Sequence, residues 1–528
     1  MNVNFNLGTE PVAHSILRSG FITVGEALRN NAAIIPDRIA IQYDGGKLTF
    51  AELNARVNRL TNSLLMKGVV RGDRIAVLAE NRLEYCEIVY AAAKLGGIVP
   101  CLNWRLSPDE LRYCIQLTTP ETIFVSSSFR DLLEEIRNDL PFLNRVVLLD
   151  ESPETENETN YASLIENGVD REPSCDVIPE DALVIIYTSG TTGYPKGSII
   201  SHRAIFGRAW IWVQDLKLSP DNTFLGWAPM FHMASMDQML VNGIIGGKFI
   251  PVPDFDPEKL AHYLWTERLG WFILMPGTFD PMIEILSSSN KKPIGVLFVG
   301  AMADLVPPQT IAEITRLIDC PYLNTFGSTE TGLAPATNSV LPIGEVPTDL
   351  SKKINTTCEI RLVDPDDNDV SLGEPGELII RGTSLLSGYW NNDETNKEDF
   401  RGGWFHMGDV FTMNDEGKIN FVDRRKYLIK SGGENIYPAE IERVLMSHPA
   451  IEEAVIVRSS DPKWGEVPKA YVASNDLSVG ADELLELCKK NLASYKKPRL
   501  FEFIDKDRFP RSTTGKILRH EVEKWNKS

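Results

Sequence analysis

Cysteine is scarce in this sequence, and its spacing excludes several classes of protein. Seven cysteines occur in 528 residues, and no two of them form a Cys-x-x-Cys pair. An odd number spaced in this way argues against a disulfide framework or a structural zinc site. We therefore expect reduced cysteines, most of them buried. Long apolar runs are also missing, because no stretch approaches the roughly 20 apolar residues of a membrane helix.

Positive charge is in deficit as well. The chain carries 54 Lys and Arg against 73 Asp and Glu, a net charge of −19. This balance argues against a broad surface for nucleic acid or anionic membranes, although a local basic pocket for phosphates stays open. The N-terminal residues lack the basic and apolar segments of a secretory signal. We expect a cytoplasmic protein without a membrane span, and the sequence leaves a homodimer open.

The apolar segments alternate between strand-like and helix-like patterns, which indicates an α/β fold with parallel, doubly wound sheets. The predicted strands are Ile75–Ala79, Thr122–Ser126, Val146–Asp150, Leu183–Tyr187, Phe249–Val252, Phe272–Met275, Val296–Val299 and Leu378–Arg381. The predicted helices are Phe50–Met66, Leu83–Leu95, Pro257–Arg268, Pro308–Ile318 and Pro438–His448. Residues 152–174 are polar and acidic, and we interpret them as an exposed connection.

A chain of this length predicts more than one domain. A hairpin-like pattern over residues 414–423 is followed by a charged segment, Asp423–Tyr427, and then by a smaller α+β pattern. We predict an N-terminal domain over residues 1–422, a hinge over 423–427 and a small C-terminal domain over 428–528. Such a domain could rotate as a unit, although a tightly fixed second lobe fits the composition equally well.

A polar, glycine-rich loop follows the predicted strand Leu183–Tyr187. It reads Thr188-Ser-Gly-Thr-Thr-Gly-Tyr-Pro-Lys-Gly197. Its glycines let backbone N–H groups turn toward an anion, its hydroxyls add donors, and Lys196 adds a mobile positive charge. The spacing is not that of a Walker A motif. We interpret this segment as a cradle for a polyphosphate.

The loop resembles the signature loop of the adenylate-forming superfamily, which includes acyl-CoA synthetases, firefly luciferases and peptide-synthetase adenylation domains. The resemblance runs from Leu48-Thr-Phe-Ala-Glu-Leu53 to Pro510-Arg-Ser-Thr-Thr-Gly-Lys516 and is closest to free-standing acyl-CoA synthetases. It implies a large N-terminal domain of doubly wound sheets with a β-barrel-like subdomain. It also implies a small α+β C-terminal domain that rotates between two half-reactions.

The same resemblance assigns residues to the binding of the nucleotide and of a metal ion. The segment Asn324-Thr-Phe-Gly-Ser-Thr-Glu-Thr-Gly332 is similar to the superfamily's second core motif. It implies that Phe326 stacks on adenine and that Glu330, together with Thr188, holds Mg²⁺. An aromatic face suits a purine, and a carboxylate suits a hard cation. The ATP-binding residues implied in this way are Thr188, Ser189, Gly190, Thr191, Thr192, Lys196, Gly300, Ala301, Phe326, Gly327, Ser328, Thr329, Glu330, Asp409, Arg424 and Lys516.

Two further segments carry charged residues of the site. Trp404-Phe-His-Met-Gly-Asp409 resembles the motif whose aspartate accepts hydrogen bonds from both ribose hydroxyls, and Arg424 matches an arginine that also reaches the ribose. Lys516 matches the lysine that neutralises charge between the carboxylate and the α-phosphate during adenylation. Such a transition state needs positive charge more than proton transfer. The catalytic residues implied by the resemblance are Lys516, Thr188, Glu330 and His232.

The second half-reaction is assigned to the small domain. Lys426 falls at the hinge position of the family. The segment Ser431-Gly-Gly-Glu434 would then line a tunnel for coenzyme A, because Gly432 and Gly433 leave room for a pantetheine arm.

The segment Ala228–Gln238 resembles the part of the family that shapes the acyl pocket. His232 occupies the place where amino-acid-activating domains carry Asp, so an amino acid is disfavoured. Soft, mostly apolar side chains favour a fatty, aromatic or alicyclic acid. The predicted pocket residues are His232, Met233, Met236, Ala301 and Met302. We therefore expect an ATP-dependent carboxylic acid:CoA ligase. Two alternatives are a stand-alone enzyme that loads a carrier protein and an inactive nucleotide-binding regulator.

Overall fold

The computed structural model describes residues 18–151, 153, 158–188, 195–431, 434–476, 478–511 and 515–527. Two large sheets dominate the N-terminal part. The first has seven strands, which are parallel except for the last pair. Their order across the sheet is Glu158–Asn160, Arg145–Leu148, Thr122–Val125, Ile75–Leu78, Val99–Cys101, Ala182–Thr188 and Lys196–Ser201.

The second sheet has eight strands. Six central strands are parallel, and one antiparallel strand closes each end. Their order is Ser339–Leu341, Tyr322–Asn324, Val296–Val299, Leu269–Phe272, Thr223–Gly226, Lys248–Pro251, Ile39–Tyr43 and Gly46–Thr49. The prediction of parallel, doubly wound sheets is thus confirmed.

Helices connect the parallel strands and cover the sheets. Their bounds are Val24–Ile34, Phe50–Met66, Leu83–Leu95, Pro108–Thr118, Arg130–Ile136, Tyr161–Asn167, His202–Gln214, Met233–Ile245, Pro257–Thr266, Phe279–Ser288, Pro308–Ile318 and Asp393–Asp399. Local chemistry sets their ends. Thr49 and Glu52 cap each other at the start of Phe50–Met66, and Gly96, with φ +79°, ends Leu83–Leu95. That second helix is buried on nearly all sides in the core that both sheets share.

Three smaller sheets follow, the first of which pairs Gly327–Ser328 with Gly332–Pro335. Four antiparallel strands lie in chain order: Cys358–Val363, Gly376–Gly382, Phe405–Met413 and Ile419–Arg424. These strands follow one another in an open sheet, and the barrel-like closure expected from the resemblance stays a prediction. The C-terminal part contains the strands Ile429–Ser431, Glu434–Ile436, Ile451–Asp461, Gly465–Ser474 and Leu500–Phe503, with the helices Pro438–Met446, Ala481–Asn491 and Arg519–Lys524. Its apolar clusters draw only on residues after 428.

Two sequence-based predictions were wrong. The strand predicted at Phe272–Met275 lies at Leu269–Phe272, because its parallel register with Val296–Val299 begins at Leu269. The apolar run continues past the strand as a buried loop. The exposed connection predicted over 152–174 contains an edge strand, Glu158–Asn160, and a helix, Tyr161–Asn167, whose Tyr161, Leu164 and Ile165 face the core.

The cysteines agree with their prediction. All seven are free, and five are buried. Within the described part of the chain, no helix is long and apolar enough to cross a membrane.

Candidate active site

The candidate phosphate loop leaves and re-enters the edge of the seven-stranded sheet. Thr188 ends one strand and lies opposite Lys196, which begins the next. The Lys196 ammonium lies 5.0 Å from the ring centre of Tyr389 and 3.9 Å from a carboxylate oxygen of Asp399. An aromatic face and a carboxylate thus hold the lysine at the mouth of the loop. The predicted contacts at 189–192 lie outside the described residues.

Tyr389 also reaches the candidate metal residue. Its hydroxyl donates a hydrogen bond to Glu330 Oε1 at 3.2 Å, and the backbone N–H of Leu386 donates to the Glu330 carbonyl at 2.7 Å. Burial, followed by the charge of Glu330, raises the pKa of Tyr389, so its hydroxyl stays a donor. Tyr389 therefore joins Lys196 to Glu330. The sequence analysis missed it, since a tyrosine in a loop has no distinctive spacing.

Glu330 suits a magnesium ion by its donor chemistry. Within the described part of the chain, no group of three or more His, Cys, Asp or Glu residues could hold a metal. Mg²⁺ in nucleotide sites often takes one or two carboxylates and completes its shell with water and substrate phosphates. A single carboxylate beside a phosphate loop fits that pattern.

Phe326 is more enclosed than an open stacking platform would be. It is 6% exposed, and its ring centre lies 4.7 Å from that of Phe411, edge-on, and 5.5 Å from that of Phe421. Only a small part of the ring remains for a purine, and the stacking contact stays a prediction. The following residues, Gly327 to Glu330, are partly or fully exposed.

Asp409 and Arg424 lie opposite each other on neighbouring antiparallel strands. Arg424 Nε is 3.1 Å from Asp409 Oδ1, yet this oxygen has no well-aligned hydrogen bond among the described residues. Asp409 is 2% exposed. Burial raises its pKa and Arg424 opposes the shift. A buried carboxylate with spare acceptor capacity fits a ligand that supplies hydroxyl donors.

Lys516 reaches this pair from the C-terminal part of the chain. A Cβ atom added to the adjacent Gly515 would lie 2.9 Å from the Pro276 carbonyl oxygen, so the loop lies against the N-terminal part. Although Lys516 is exposed to solvent, desolvation by the surrounding protein and the charge of Arg424 lower its pKa, while Asp409 raises it. The structure thus brings Lys516, Asp409 and Arg424 together.

His232 lies near the same lysine. It caps the helix Met233–Ile245, because its Nδ1 accepts a hydrogen bond from the N–H of Ala234 at 3.2 Å. Burial, followed by the charge of Lys516, lowers the pKa of His232 to about 4. The imidazole is therefore neutral near pH 7. Its hydrogen bond gives the imidazole a capping role and assigns it no role as a general acid or base.

The other predicted pocket residues differ in access. Met233, Ala301 and Met302 are half-buried, whereas Met236 is 0% exposed and packs in the core. Gly300, which precedes Ala301 and Met302, has φ +100°, and a Cβ atom added there would lie 2.2 Å from the ring of Tyr322. This close approach requires glycine. The acyl contacts of all five residues stay predictions.

A buried ion pair supports the loop that carries Glu330, and the sequence analysis missed it. Arg208 Nη1 lies 2.8 Å and 2.9 Å from the two Asp237 oxygens, and Nη2 donates to the Thr329 carbonyl at 2.9 Å. Arg208 is 1% exposed and Asp237 3%. Since Asp237 lies on the helix that His232 caps, the pair connects the acyl segment to the nucleotide loop.

The predicted hinge contains Arg424, and the predicted coenzyme A segment follows it in the chain. Lys426 is exposed, and its carbonyl accepts a hydrogen bond from Arg458 Nη2 at 2.5 Å. Ser431 is buried and Glu434 exposed, at the two inner ends of a hairpin. Gly432 and Gly433 lie outside the described residues, so the tunnel stays a prediction.

The fold and the site identify the class of protein. The chain belongs to the AMP-binding enzyme family, whose model matches residues 28–390, and the AMP-binding enzyme C-terminal domain matches residues 440–516. The expected adenylate-forming superfamily is confirmed, and with it the class of AMP-forming acid–CoA ligases. ATP and coenzyme A fit this family as substrates.

Named relatives match over nearly the whole chain. The indoleacetate–CoA ligase of Aromatoleum aromaticum is 31% identical over 511 residues, which covers 94% of this chain and 97% of that protein. A 2-succinylbenzoate–CoA ligase of Bacillus cereus is 31% identical over 506 residues, covering 95% and 98%. Both similarities span the N-terminal and C-terminal parts together.

Solved structures agree. The o-succinylbenzoate CoA synthetase of Bacillus subtilis, in complex with its acyl-adenylate intermediate, superposes with a TM-score of 0.79 at 28% identity, covering 94% of this chain and 97% of that one. The same synthetase in complex with ATP and magnesium ion gives a TM-score of 0.79 at 27% identity, covering 94% and 99%. The expected α/β fold with a large N-terminal and a small C-terminal domain is confirmed.

Proposed function

We propose that this enzyme activates a carboxylic acid with an uncharged, mostly apolar body, aromatic acids first among them, and transfers the acyl group to coenzyme A. The convergence of Lys516, Asp409 and Arg424 carries the proposal, because it brings a lysine close to a buried carboxylate and its arginine partner. The relatives named for indoleacetate and 2-succinylbenzoate support the aromatic choice.

In the first half-reaction, a carboxylate oxygen of the acid attacks the α-phosphorus of ATP. The bond from this phosphorus to the bridging oxygen breaks, and pyrophosphate leaves. Lys516 supplies positive charge where the two anions meet, which lowers the barrier without proton transfer. Asp409 and Arg424 hold the ribose, and Lys196 grips the departing pyrophosphate.

Glu330 and Thr188 would hold Mg²⁺, with Tyr389 fixing the Glu330 carboxylate. The ion would supply charge neutralisation of the phosphates. The complex of a related synthetase with ATP and magnesium ion supports this assignment. Phe326, Gly300 and Ala301 face the adenine in the same proposal.

In the second half-reaction, the thiol of coenzyme A gives up its proton to water, its sulfur bonds to the acyl carbon, the carbon–oxygen bond to the phosphate breaks, and AMP leaves. We assign this step to an arrangement in which residues 428–528 have turned about Lys426, within the hinge 423–427, and Lys516 has left the cleft. Residues 431–434 then line the tunnel. Residues 1–422 hold both small substrates. A homodimer and a cytoplasmic location stay predictions.

The charges near His232 favour an acid without an amine. The ionised group that acts on this imidazole is the Lys516 ammonium, which would repel a second ammonium nearby. The Asp237 carboxylate on the same helix is taken by Arg208. Lys516 is required by the reacting carboxylate, so it is not available to a second acidic group.

A pyrophosphate-release screen with ATP and Mg²⁺ tests the proposal. The acids are indoleacetate, 2-succinylbenzoate, hexanoate, decanoate and the matched pair 3-phenylpropanoate and phenylalanine, which differ only in the α-amine. We expect release with indoleacetate and 3-phenylpropanoate, none with phenylalanine or with 2-succinylbenzoate, whose second carboxylate is charged, and acyl-CoA once coenzyme A is added. Release with phenylalanine alone, or with no acid, would overturn the proposal. Transfer to a carrier protein in preference to coenzyme A would overturn its second half.

A further inference from the structure

Arg519, three residues after Lys516, bridges two carboxylates. Its Nη1 lies 3.1 Å from Asp423 Oδ1, and its Nη2 lies 2.6 Å from Glu442 Oε2. The guanidinium also lies over the ring of Tyr427, 4.6 Å from its centre. The carboxylates are shielded from water, with 3% of the Asp423 side chain and 18% of the Glu442 side chain exposed.

The two carboxylates belong to different parts of the molecule. Asp423 lies on the strand Ile419–Arg424, opposite Val410 and next to the pair formed by Asp409 and Arg424. Glu442 lies on the helix Pro438–Met446, and its Oε1 accepts a hydrogen bond from the Ile456 N–H at 2.7 Å. Glu442 therefore holds Arg519 within the C-terminal part, whereas Asp423 holds it against the sheet of the N-terminal part.

Asp423 also contacts a second element of the C-terminal part. Its Oδ2 accepts a hydrogen bond from the Ala439 N–H at 2.7 Å. Ala439 lies in the first turn of the helix Pro438–Met446, where a carboxylate is favoured by the free N–H groups. One side chain on the N-terminal sheet thus fixes two elements of the C-terminal part.

The position of Arg519 determines that of Lys516, because the chain between them is braced. Leu518 N–H donates to the Pro510 carbonyl at 2.7 Å, and Arg511 Nη1 donates to the Gly515 carbonyl at 3.1 Å. Arg511 itself pairs with Glu453 on the strand Ile451–Asp461. Lys516 therefore moves with Arg519 as a unit.

We propose that Asp423 is a positioning residue for the adenylation step: through Arg519 and Ala439 it docks the C-terminal part so that Lys516 faces Asp409 and Arg424. The inference rests on the proposed function. A turn about Lys426 that removes Lys516 breaks both Asp423 contacts while leaving those of Glu442 intact. Asp423 hence stabilises one arrangement only, whereas Glu442 stabilises the C-terminal part in both.

Asp423→Asn tests this, with Glu442→Gln as the matched control on the same arginine. We expect D423N to slow acid-dependent exchange of pyrophosphate into ATP by about tenfold or more, the scale of a lost charged hydrogen bond. Thioester formation from supplied acyl-adenylate should be unchanged or faster. E442Q should slow both half-reactions by similar factors and lower Tm. Arg519→Lys, which keeps the charge but cannot bridge two carboxylates, should slow adenylation as D423N does and, through the weakened Glu442 contact, lower Tm as E442Q does.

Hydrogen exchange supplies a readout that does not depend on activity. D423N should speed exchange on both sides of the docking contact, in residues 277–279 and 515–518, whereas E442Q should affect only the C-terminal side. Equal loss of both half-reactions in D423N, no loss in either, or exchange confined to the C-terminal side would overturn the proposal. If the wild-type enzyme releases no pyrophosphate with any acid, the proposed function fails, while the exchange experiment still tests the docking role.

Discussion

Asp409 and Arg424 face each other across two antiparallel strands, with Nε 3.1 Å from Oδ1. The arginine side chain is 50% exposed and the carboxylate 3%. The Arg424 guanidinium is therefore accessible to solvent, whereas the Asp409 carboxylate is buried. A buried carboxylate that keeps an oxygen without a well-aligned partner among the described residues is costly unless a ligand satisfies it. We infer that the sheet holds Asp409 in place for a hydroxyl-bearing ligand.

Replacing Asp409 by Asn should weaken ATP binding. The variant keeps the size of the side chain but loses the charge that accepts hydrogen bonds from hydroxyl groups. At about 1.5–3 kcal/mol for a charged hydrogen bond, the Kd for ATP should rise roughly 10- to 100-fold, measured by calorimetry without acid. Asp415→Asn, at an exposed turn between the same two strands, is the control and should bind as wild type. Unchanged affinity in D409N would contradict the ribose assignment.

Lys516→Gln should separate the two half-reactions. Loss of a positive group aimed at the transition state should slow pyrophosphate–ATP exchange roughly 10²- to 10³-fold. Thioester formation from supplied adenylate should change little. Lys524→Gln, on a side chain that is 65% exposed in the following helix, is the control. Loss of both half-reactions to the same extent would argue against the assignment of Lys516.

The pH profile of adenylation should carry the signature of Lys516. Desolvation and Arg424 lower its pKa from the ordinary 10.5, so its charge is lost at a lower pH than that of a lysine surrounded by water alone. Because the charged form is the active one, kcat/KM for adenylation should fall on the alkaline side before pH 10.5 is reached. K516Q should lack this alkaline limb, and a limb that persists in K516Q belongs to another group.

Tyr389→Phe should raise the Mg²⁺ requirement. The variant keeps the ring beside Lys196 but removes the hydroxyl that donates to Glu330. With Glu330 less fixed, the Mg²⁺ concentration for half-maximal pyrophosphate exchange should rise several-fold, the scale of one hydrogen bond of about 1 kcal/mol. Tyr389→Leu removes both contacts and should also raise the ATP concentration needed for half-maximal exchange. Equal Mg²⁺ curves for Y389F and the wild type would contradict the role of Tyr389.

Local patterns predicted the elements better than the contacts between them. The strand Val296–Val299 and the helices Phe50–Met66, Leu83–Leu95 and Pro308–Ile318 lie where the apolar period and the capping residues indicate. The strand near Phe272 was misplaced because the apolar run continues into a buried loop. The helix Tyr161–Asn167 was missed because a polar, acidic segment contains its short apolar face.

The site residues divide in the same way: those within a local motif were predicted, and those that act through distant partners were missed. The motifs that resemble the superfamily supplied Asp409, Arg424 and Lys516, which the structure brings together. Tyr389 and Arg208 were missed, since each acts through a partner far away in the sequence. A tyrosine that reaches a glutamate 59 residues away leaves no periodicity to detect. Asp423 was predicted only as the start of a hinge, because its partners lie 16 and 96 residues further along the chain.

His202 should make the enzyme less stable in acid. It is 0% exposed, and its Nδ1 accepts a hydrogen bond from the Val24 N–H at 3.1 Å. Burial lowers its pKa from the ordinary 6.5 to about 4, although Asp181 and Glu26 oppose the shift. Between these values the unfolded chain binds the proton and the folded one does not, so stability falls as the pH drops from 6.5 to 4. The full effect is on the order of 3 kcal/mol.

His202→Gln removes this titration, and thermal unfolding measures the result. The wild-type Tm should drop as the pH falls from 7 toward 4, and H202Q should lose part of that dependence, although the missing hydrogen bond lowers its Tm at pH 7. His520→Gln, on a side chain that is 49% exposed, should retain the wild-type slope. A slope in H202Q equal to that of the wild type would mean that other groups, His232 among them, account for the acid sensitivity. The difference between the two slopes, rather than either Tm, isolates the buried imidazole, since the lost hydrogen bond shifts every point of the H202Q curve alike.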